Sequence, residues 1–465
     1  MSVTSAFDLA VRDALAAVLP SDRIIVDDDV MRSYARDEAQ WAPFATPLAV
    51  VRPRTEAEVQ QTVKVCVERG VPIVPRGGGT GLSGGANATA GCIVLVLDRL
   101  DEIKEINVAE RLAVVGPGVV NNDLREACRE HGLWYPPDPS SAAWSNIGGN
   151  VATNAGGICC VKYGVTKDYV LALRVVTGTG ELVELGRRTS KGVAGYDLVG
   201  LLVGSEGTLG IITEVTVRLL PTPAPSRTVA GYFDSLVAAG RAVRAVAAAG
   251  LTPSALELID RQCLVAVDEW KKMGVSAEAD TVLLSRTDTP GSIGDDEAAA
   301  IQACFEQAGA SWAAVSTDPE EAESLFEARR LAYPAMERLG HVMTEDVCVP
   351  KTALPDMLAR IEAIAHRHET VIANVAHAGD GNLHPMLLVR HGDDEGRVRA
   401  EAAFADIIAE ALELGGTITG EHGVGVLKKA GLTQELSGHV MELHRAVKRA
   451  LDPLGILNPG KIFTP

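Results

Sequence analysis

Two histidines lie near the ends of two strand-like runs that a tight turn could join. The runs 371–378 and 383–389 are apolar, and Gly379-Asp380-Gly381-Asn382 stands between them. Asp-Gly is a preferred pair for a two-residue hairpin turn. That turn would set His377 directly opposite His384, with Cβ atoms roughly 5 Å apart on one face. Two imidazoles placed in this way can share one divalent metal.

Glu421 is the candidate third ligand. It lies in Thr419-Gly420-Glu421-His422-Gly423-Val424-Gly425, where glycines on both sides allow a close approach to another loop. Two histidines and one glutamate leave coordination positions open for water or substrate, as a catalytic metal requires. In the alternative interpretation, His377 and His384 are only a stacked surface pair. The Glu-His dipeptide between glycines favours metal binding over this alternative.

A glycine-rich loop follows a predicted strand at 71–74. It begins at Arg76 and has six glycines in ten residues, in the order Arg76, Gly77, Gly78, Gly79, Thr80, Gly81, Leu82, Ser83, Gly84 and Gly85. The spacing Gly-x-Gly-x-x-Gly is satisfied, but a Rossmann site needs a helix directly after it. Here a poor helix former at 86–91 leads into a strand. The loop therefore predicts a nest of backbone N–H groups for a phosphate, with a tight structural turn as the alternative.

Two more glycine regions follow, and close backbone approach to a large ligand would explain them. The second region contains Pro137, Asp138, Ser140 and Ser141, then Gly148 and Gly149, then Asn154, Gly156 and Gly157. The third contains Glu206 and Gly207 and leads into a strand that begins near Ile211 and Ile212. Three such loops in one α/β-patterned region suggest one extended cofactor threaded among them.

The remaining pattern of helices and strands predicts an α+β protein. More than one domain is expected, because a chain of 465 residues is too long for a single hydrophobic core. The segment 221–225, Pro-Thr-Pro-Ala-Pro, is the clearest linker. Long helices are predicted afterwards at 235–249, 295–308, 319–339, 354–368 and 396–414, with strands between them. The tail 433–451 is predicted to be one helix. The predicted domains are 1–222 for the cofactor, 223–430 for the substrate and the metal, and 431–465 as a C-terminal segment.

Charge and cysteine spacing limit the classes of partner and cofactor that we expect. The chain has 43 basic and 61 acidic side chains, for a formal charge of −18, which argues against nucleic acid or an anionic membrane as the main partner. No two cysteines stand at Cys-x-x-Cys spacing, so an organic cofactor must carry any electrons. We see no membrane span and no secretory leader, and we expect a cytoplasmic protein, with peripheral membrane association left open.

The glycine segments resemble, in content and order, the FAD domain of the vanillyl-alcohol oxidase and p-cresol methylhydroxylase (PCMH) superfamily. The resemblance implies a non-Rossmann FAD-binding domain of two subdomains, plus an α+β cap domain with an antiparallel sheet. The first loop has no histidine where some relatives attach the flavin, so we expect non-covalent FAD. Asn458-Pro459-Gly460-Lys461 resembles the family's C-terminal segment, which returns to the FAD domain.

His-x-Gly-Asp-Gly-Asn-x-His and Gly-Glu-His-Gly-x-Gly resemble the group that contains D-lactate dehydrogenases, the FAD subunit of glycolate oxidase and D-2-hydroxyglutarate dehydrogenase. By this resemblance His377, His384 and Glu421 bind a divalent metal, zinc or manganese. His422 is the catalytic base. Arg329, or the adjacent Arg330, binds the substrate carboxylate. The implied reaction is metal-assisted removal of the hydroxyl proton with hydride transfer to flavin N5, which gives a 2-oxo acid.

Two departures from the group favour a substrate with a single carboxylate, such as D-lactate. Thr344 and Met386 stand where the 2-hydroxyglutarate enzymes have a lysine and an asparagine for a second carboxylate, and Met386 is expected to contact the substrate tail. The alternatives are a glycolate oxidase FAD subunit, a D-2-hydroxyglutarate dehydrogenase, a flavin-dependent alkyl transferase and a non-catalytic flavin-binding protein. The electron acceptor is left open among a quinone, an electron-transfer flavoprotein and a cytochrome, as is a homodimer.

Overall fold

The computed structural model of this chain describes residues 6–316 and 318–464. The described residues form two compact units. Unit 1 draws on the described residues 6–155, 165–222 and 421–464, and unit 2 draws on 156–164, 223–316 and 318–420. The boundary between Thr222 and Pro223 falls inside the proline-rich linker. Unit 2 also takes in 156–164, and it ends at Gly420, ten residues before the end of the predicted substrate domain.

Unit 1 contains two main sheets. A mixed sheet has the order β1-β2-β4-β3, and an antiparallel sheet has the order β5-β6-β10-β8-β9, while β7 and β11 form a small separate pair. The strands are β1 (Ile24–Ile25), β2 (Ala49–Val51), β3 (Ile73–Arg76), β4 (Ile93–Val96), β5 (Ile103–Asn107), β6 (Leu112–Val115), β7 (Leu133–Trp134), β8 (Val170–Val176), β9 (Leu182–Gly186), β10 (Ile211–Arg218) and β11 (Leu220–Pro221).

The helices of unit 1 pack on these sheets, and local sequence sets their ends. Helix α3 begins after Thr55, whose hydroxyl accepts a hydrogen bond from the Glu58 amide, and it ends at Gly70 in the left-handed region. The helices are α1 (Ala6–Val18), α2 (Asp28–Ser33), α3 (Glu56–Arg69), α4 (Asn121–Arg129), α5 (Ile147–Thr153), α7 (Leu198–Leu202), α14 (Lys429–Glu435) and α15 (Gly438–Leu451); α6 (Cys160–Tyr163) lies in unit 2.

The first glycine loop does not open a helix. Strand β3 ends at Arg76, and the next regular element in the described chain is β4, which pairs with β3 in parallel. This confirms the rejection of a Rossmann site, because no helix N-terminus follows the loop.

The prediction of one tail helix at 433–451 is wrong. The helix is interrupted between α14 and α15. The Ser437 hydroxyl caps the second helix by accepting a hydrogen bond from the Val440 amide. Serine competes well for such a cap, and this local interaction ends the continuous helical pattern.

Unit 2 is built on one antiparallel sheet with the order β15-β12-β14-β13-β18-β19-β16, and β17 pairs with β19 beside this path. Its strands are β12 (Arg227–Phe233), β13 (Ala255–Asp260), β14 (Thr281–Thr287), β15 (Trp312–Ser316), β16 (His341–Thr344), β17 (Val347–Cys348), β18 (Val371–His377) and β19 (Asn382–Val389). Its longer helices are α8 (Leu236–Ala248), α9 (Arg261–Lys271), α10 (Gly291–Gln307), α11 (Pro319–Glu337), α12 (Leu354–Arg367) and α13 (Asp394–Glu413).

One face of this sheet packs against α9 and α11. Ala373, Val375 and Met386 share a core with Phe326 and Ala332 of α11. Since side chains alternate along a strand, His377 and His384 lie on the same face as Val375 and Met386. Both units therefore mix helices with largely antiparallel sheets, in agreement with the predicted α+β class. In the described chain, no helix has the length and apolarity that crossing a bilayer requires.

A buried ion pair joins the end of α15 to the segment that follows it. Lys448 donates to the Thr208 and Leu457 carbonyls and pairs with Asp452, which also accepts from the Ile456 and Leu457 amides. Burial lowers the pKa of the Lys448 ammonium, and the Asp452 carboxylate opposes that shift. The backbone amide of Asn458 in turn donates to the Ile73 carbonyl. The Lys448–Asp452 pair therefore helps to hold the C-terminal segment beside β3.

We expect Asp452→Asn to lower the free energy of unfolding by about 3 kcal/mol, because it leaves the buried Lys448 ammonium without its counter-ion. Urea denaturation followed by circular dichroism measures this. The control is Glu442→Gln on the same helix, which removes an exposed pair with Arg445 and is expected to change stability by less than about 0.5 kcal/mol. Equal losses in the two variants would contradict the role given to Asp452.

Candidate active-site residues

The predicted histidine hairpin is present, with a different register. Val375 pairs with His384 and His377 pairs with Asn382, so the turn has four residues, 378–381, instead of two. The shift of the pairing by two residues keeps both histidines on one face, whereas a shift of one would have separated them. Their rings lie 5.1 Å apart between centroids and nearly perpendicular, and both residues are buried.

Asn382 is anchored at the start of β19. Its side chain donates to Asp346 and to the Val347 carbonyl, at 2.8 and 3.2 Å. These bonds hold Asn382 in β19 beside β17, where it pairs with His377 and closes the four-residue turn. Gly381 takes a positive φ of 86° within the longer turn instead.

Glu257 on β13 holds His377. Its carboxylate oxygens lie 2.8 and 3.0 Å from His377 Nδ1, and the residue is fully buried. Because a carboxylate can only accept, the proton between them belongs to Nδ1. This bond favours the tautomer in which Nε2 carries the lone pair that a metal ligand needs.

The same carboxylate pairs with Arg329 of α11. Arg329 Nε lies 2.9 Å from Glu257 Oε2, and Arg329 is only 8% exposed. The neighbouring candidate Arg330 is exposed instead and pairs with Glu323. Burial in the face that carries the histidines therefore distinguishes the two arginines that the sequence left as alternatives.

Asp346, also fully buried, organises the other side of the pair. Its Oδ1 lies 3.5 Å from His384 Nδ1, and its Oδ2 accepts from the Thr419 hydroxyl at 2.6 Å. The Gly420 amide donates to the Asp346 carbonyl at 3.0 Å. Glu421, the predicted third metal ligand, is the next residue of the chain.

His422 and Glu421 belong to unit 1, where their loop is bonded to two glycine loops. The Ser83 hydroxyl donates to the His422 carbonyl at 3.2 Å. The Glu206 carboxylate accepts from the Val424 and Gly425 amides at 2.7 and 2.8 Å. Burial raises the pKa of Glu206 to about 7, against the opposing effect of these two amides. Glu206 was predicted to bind the cofactor, and its carboxylate accepts hydrogen bonds from the loop that carries His422.

The three glycine loops approach one another within unit 1. A Cβ on Gly78 would lie 2.6 Å from the Trp144 carbonyl oxygen, and one on Gly77 would lie 3.6 Å from Gly149 Cα. Asn458 joins the first loop to the third by donating to the Gly85 and Glu206 carbonyls, at 2.9 and 2.7 Å. Glycine at Gly78 therefore has a packing reason as well as the predicted phosphate role.

Buried acceptors beside these loops fit a bound FAD. No described residue donates a hydrogen bond to Asn146 Oδ1 or to Asn458 Oδ1, although both atoms are buried. Asn146 Oδ1 is also 3.4 Å from the position of a Cβ on Gly77 or Gly78. FAD carries hydroxyl and N–H donors that such acceptors can satisfy, and the adjacent turn carries N–H groups suited to its pyrophosphate.

The other predicted site residues fall in several places. Arg76 is buried and donates to the Arg36 carbonyl, and burial lowers its pKa. Asn154 caps α5 and accepts from the Lys167 amide, while Gly156 and Gly157 belong to unit 2. Met386 is a fully buried member of the unit 2 core. The remaining predicted residues of unit 1 are Gly79, Thr80, Gly81 and Leu82 in the first loop, Pro137, Asp138, Ser140 and Ser141 after β7, Gly148 in α5, Gly207 after Glu206, and Ile211 and Ile212, which begin β10 and are buried in the core.

Glu257 and Asp346 were not predicted from the sequence as site residues. A signal existed for Glu257, which interrupts the apolar strand Ala255-Leu256-Glu257-Leu258-Ile259 at a position that faces the core. A charge inside such a strand needs a partner, and that requirement could have marked it.

Comparison with known families agrees with this geometry. Residues 47–186 match the FAD binding domain family, and residues 222–462 match the family of FAD linked oxidases, C-terminal domain. The p-cresol methylhydroxylase structure superposes with a TM-score of 0.85, covering 100% of this chain and 98% of that one, at 19% identity. This likeness confirms the predicted PCMH-type fold.

Several curated proteins are similar over nearly their whole length. Glycolate oxidase subunit GlcD of Bacillus subtilis is 42% identical, over 90% of this chain and 89% of its own. D-lactate dehydrogenase of Anaerostipes hadrus is 34% identical, over 95% and 94%. D-2-hydroxyglutarate dehydrogenase of Xanthomonas citri is 35% identical, over 97% and 96%.

The resemblance drawn from the glycine loops and the histidine hairpin is thus confirmed. This chain is an FAD-linked oxidoreductase and belongs to the family of FAD linked oxidases.

Proposed function

We propose that this protein oxidises a small D-2-hydroxy acid with one carboxylate, such as D-lactate, to the 2-oxo acid. The observation that carries the proposal is the buried group of His377, Glu257 and Arg329 in unit 2. It brings a histidine that can bind a metal and a guanidinium that can bind a carboxylate to the same buried glutamate. A 2-hydroxy acid presents the matching pair of groups, a hydroxyl and a carboxylate on adjacent carbons.

In this proposal His377, His384 and Glu421 are the ligands of a zinc or manganese ion. The histidine pair supports it, because both rings are buried and each faces a fully buried carboxylate, Glu257 or Asp346. Glu421 is supported by the chain itself, since Gly420, the residue before it, is bonded to Asp346.

The protein's own part of the reaction is binding, orientation and proton removal. Arg329 binds the substrate carboxylate and fixes the direction of the C2–H bond. His422 takes the proton of the 2-hydroxyl, a role that suits an imidazole near neutral pH. Non-covalently bound FAD supplies the acceptor for the hydride from C2, and the metal supplies the positive charge that favours the ionised hydroxyl.

A single carboxylate is favoured by the neutral residues beside the pair. Met386 is fully buried, lies on the same face as His384 and pairs across the sheet with Thr344. These two side chains would offer a second substrate carboxylate no positive charge, and an uncompensated charge is costly in a closed site. The names of the relatives support a 2-hydroxy acid, since they refer to glycolate, D-lactate and D-2-hydroxyglutarate.

A second candidate is the FAD subunit of a glycolate oxidase that needs partner chains. The 42% identity to a protein named as a glycolate oxidase subunit favours it. In either case the reduced flavin must be reoxidised, and we propose a quinone, an electron-transfer flavoprotein or a cytochrome as the acceptor. A homodimer stays a prediction.

The substrate test is anaerobic bleaching of the flavin at 450 nm in the purified protein, with D-lactate, L-lactate, glycolate and D-2-hydroxyglutarate in parallel, before and after EDTA. We expect D-lactate to bleach the flavin, L-lactate and D-2-hydroxyglutarate to leave it oxidised, and EDTA to stop the reaction until zinc or manganese is restored.

Other results would redirect the proposal. Bleaching by D-2-hydroxyglutarate alone would replace the monocarboxylate with a dicarboxylate. Bleaching by glycolate that appears only with added partner chains would favour the subunit role. A yellow protein that none of the four acids reduces, with or without metal, would contradict hydroxy-acid oxidation and favour a flavin-dependent transferase.

The two adjacent arginines give a matched pair of variants. We expect Arg329→Lys to raise KM for the hydroxy acid about 30-fold, the equivalent of about 2 kcal/mol, because an ammonium loses the two-point contact with the carboxylate. Arg330→Lys is the control, since Arg330 is exposed and pairs with Glu323, and its KM should change less than about 2-fold. Steady-state kinetics with a dye acceptor measure both. An unchanged KM in Arg329→Lys would remove this residue from the substrate site.

A further inference from the structure

One buried carboxylate, that of Glu257, serves two side chains with separate proposed roles. It lies on β13, next to β18, with no exposed surface. Its Oε1 is 2.8 Å from His377 Nδ1, and its Oε2 is 3.0 Å from the same nitrogen and 2.9 Å from Arg329 Nε. A carboxylate with both oxygens committed in this way constrains both partners at once.

We propose that Glu257 is a positioning residue that holds His377 in its metal-binding tautomer and Arg329 in its carboxylate-binding orientation. Affinity for the metal and affinity for the substrate carboxylate then depend on the same buried group. The inference rests on the proposed function and adds the residue that links its two halves.

The effect on His377 follows from hydrogen-bond chemistry. Acceptance of the Nδ1 proton fixes the ring plane and leaves Nε2 as the ligand atom, and the negative charge makes that nitrogen more basic. Without the carboxylate the ring could rotate or take the opposite tautomer, with its proton on Nε2, which cannot then bind a metal.

The effect on Arg329 follows from charge and shape. Arg329 is nearly buried, and its guanidinium needs a counter-ion there. The ion pair is formed at Nε, on one edge of the planar group, by proximity and charge without the alignment of a hydrogen bond. The terminal amino groups are the donors proposed for the substrate carboxylate. Loss of Glu257 would let the side chain turn toward other acceptors, or toward solvent, and the substrate would have to bind a disordered partner.

The test compares Glu257→Gln with the wild type in two separate measurements. Apoprotein prepared with EDTA is titrated with zinc against a chromophoric chelator, and KM for D-lactate is measured with the metal saturating. A glutamine can accept from one partner but presents an N–H donor to the other. We expect the zinc Kd to rise about 10- to 100-fold and KM to rise by at least about 10-fold, while FAD content is unchanged.

Asp260→Asn is the matched control. Asp260 is a buried carboxylate on the same strand, three residues along, and it accepts from the Cys263 and Asn374 amides. The Asp260→Asn variant measures how far the removal of a buried charge from β13, in itself, changes the stability and the binding constants. We expect the zinc Kd and KM of this variant to stay within about 3-fold of the wild type, even where its stability falls.

A double-mutant cycle tests the link itself. We expect Arg329→Lys alone to leave the zinc Kd unchanged, and we expect its effect on KM to be less than additive with that of Glu257→Gln, because both variants disturb one contact. If Glu257→Gln fails to fold, Glu257→Asp keeps the charge with a shorter reach, and the zinc Kd should still rise at least about 10-fold.

The outcomes separate this inference from the proposed function. If wild-type protein binds zinc and is reduced by D-lactate, but Glu257→Gln matches it in zinc Kd and KM, the role of Glu257 is refuted and the function stands. If Glu257→Gln and Asp260→Asn raise both constants equally, Glu257 is only structural. If the wild type neither binds zinc nor oxidises a hydroxy acid, the proposed function itself has failed.

Discussion

The arrangement of unit 2 depends on a charge that cannot be buried alone. An ionised carboxylate without exposed surface must have a counter-ion and hydrogen-bond donors, or it would destabilise the fold by several kcal/mol. Glu257 meets this requirement with His377 from the neighbouring strand and Arg329 from the helix packed on that face. The requirement therefore fixes β13 beside β18, and it fixes which face of α11 meets the sheet. The same solution brings two chemically useful side chains to one place.

Unit 1 is organised by side chains that form hydrogen bonds with the main chain of its loops. Asn458 donates to the carbonyls of two glycine loops, and Glu206 accepts from two amides of the loop that carries His422. The Lys448–Asp452 pair then holds the C-terminal segment that supplies Asn458. These contacts explain why residues far apart in the sequence belong to one flavin-binding unit. A glycine-rich loop has few side chains to fix its conformation, so hydrogen bonds from other segments to its backbone must do so. Asn458 and Glu206 provide such bonds.

The sequence predicted what depends on local pattern. The strand after the first glycine loop, the α+β class and the histidine hairpin all follow from spacing over short stretches of the sequence. The hairpin register could not be predicted, because Asn382 is held by Asp346, which lies between β16 and β17, 36 residues away in sequence. The tail helix was predicted too long, since its hydrophobic spacing continues through the Ser437 cap. The role of Glu257 could not be predicted, because it depends on contacts with Arg329 and His377, which are 72 and 120 residues away in sequence.

The central claim, that His377 and His384 bind a catalytic metal, is tested most directly by metal analysis of the purified protein. We predict about one zinc or manganese ion per FAD in the wild type, and almost none in His377→Ala/His384→Ala with its FAD content unchanged. A chelator-resistant metal that survives in the double variant, or full reduction of wild-type flavin by D-lactate in metal-free protein, would contradict the account.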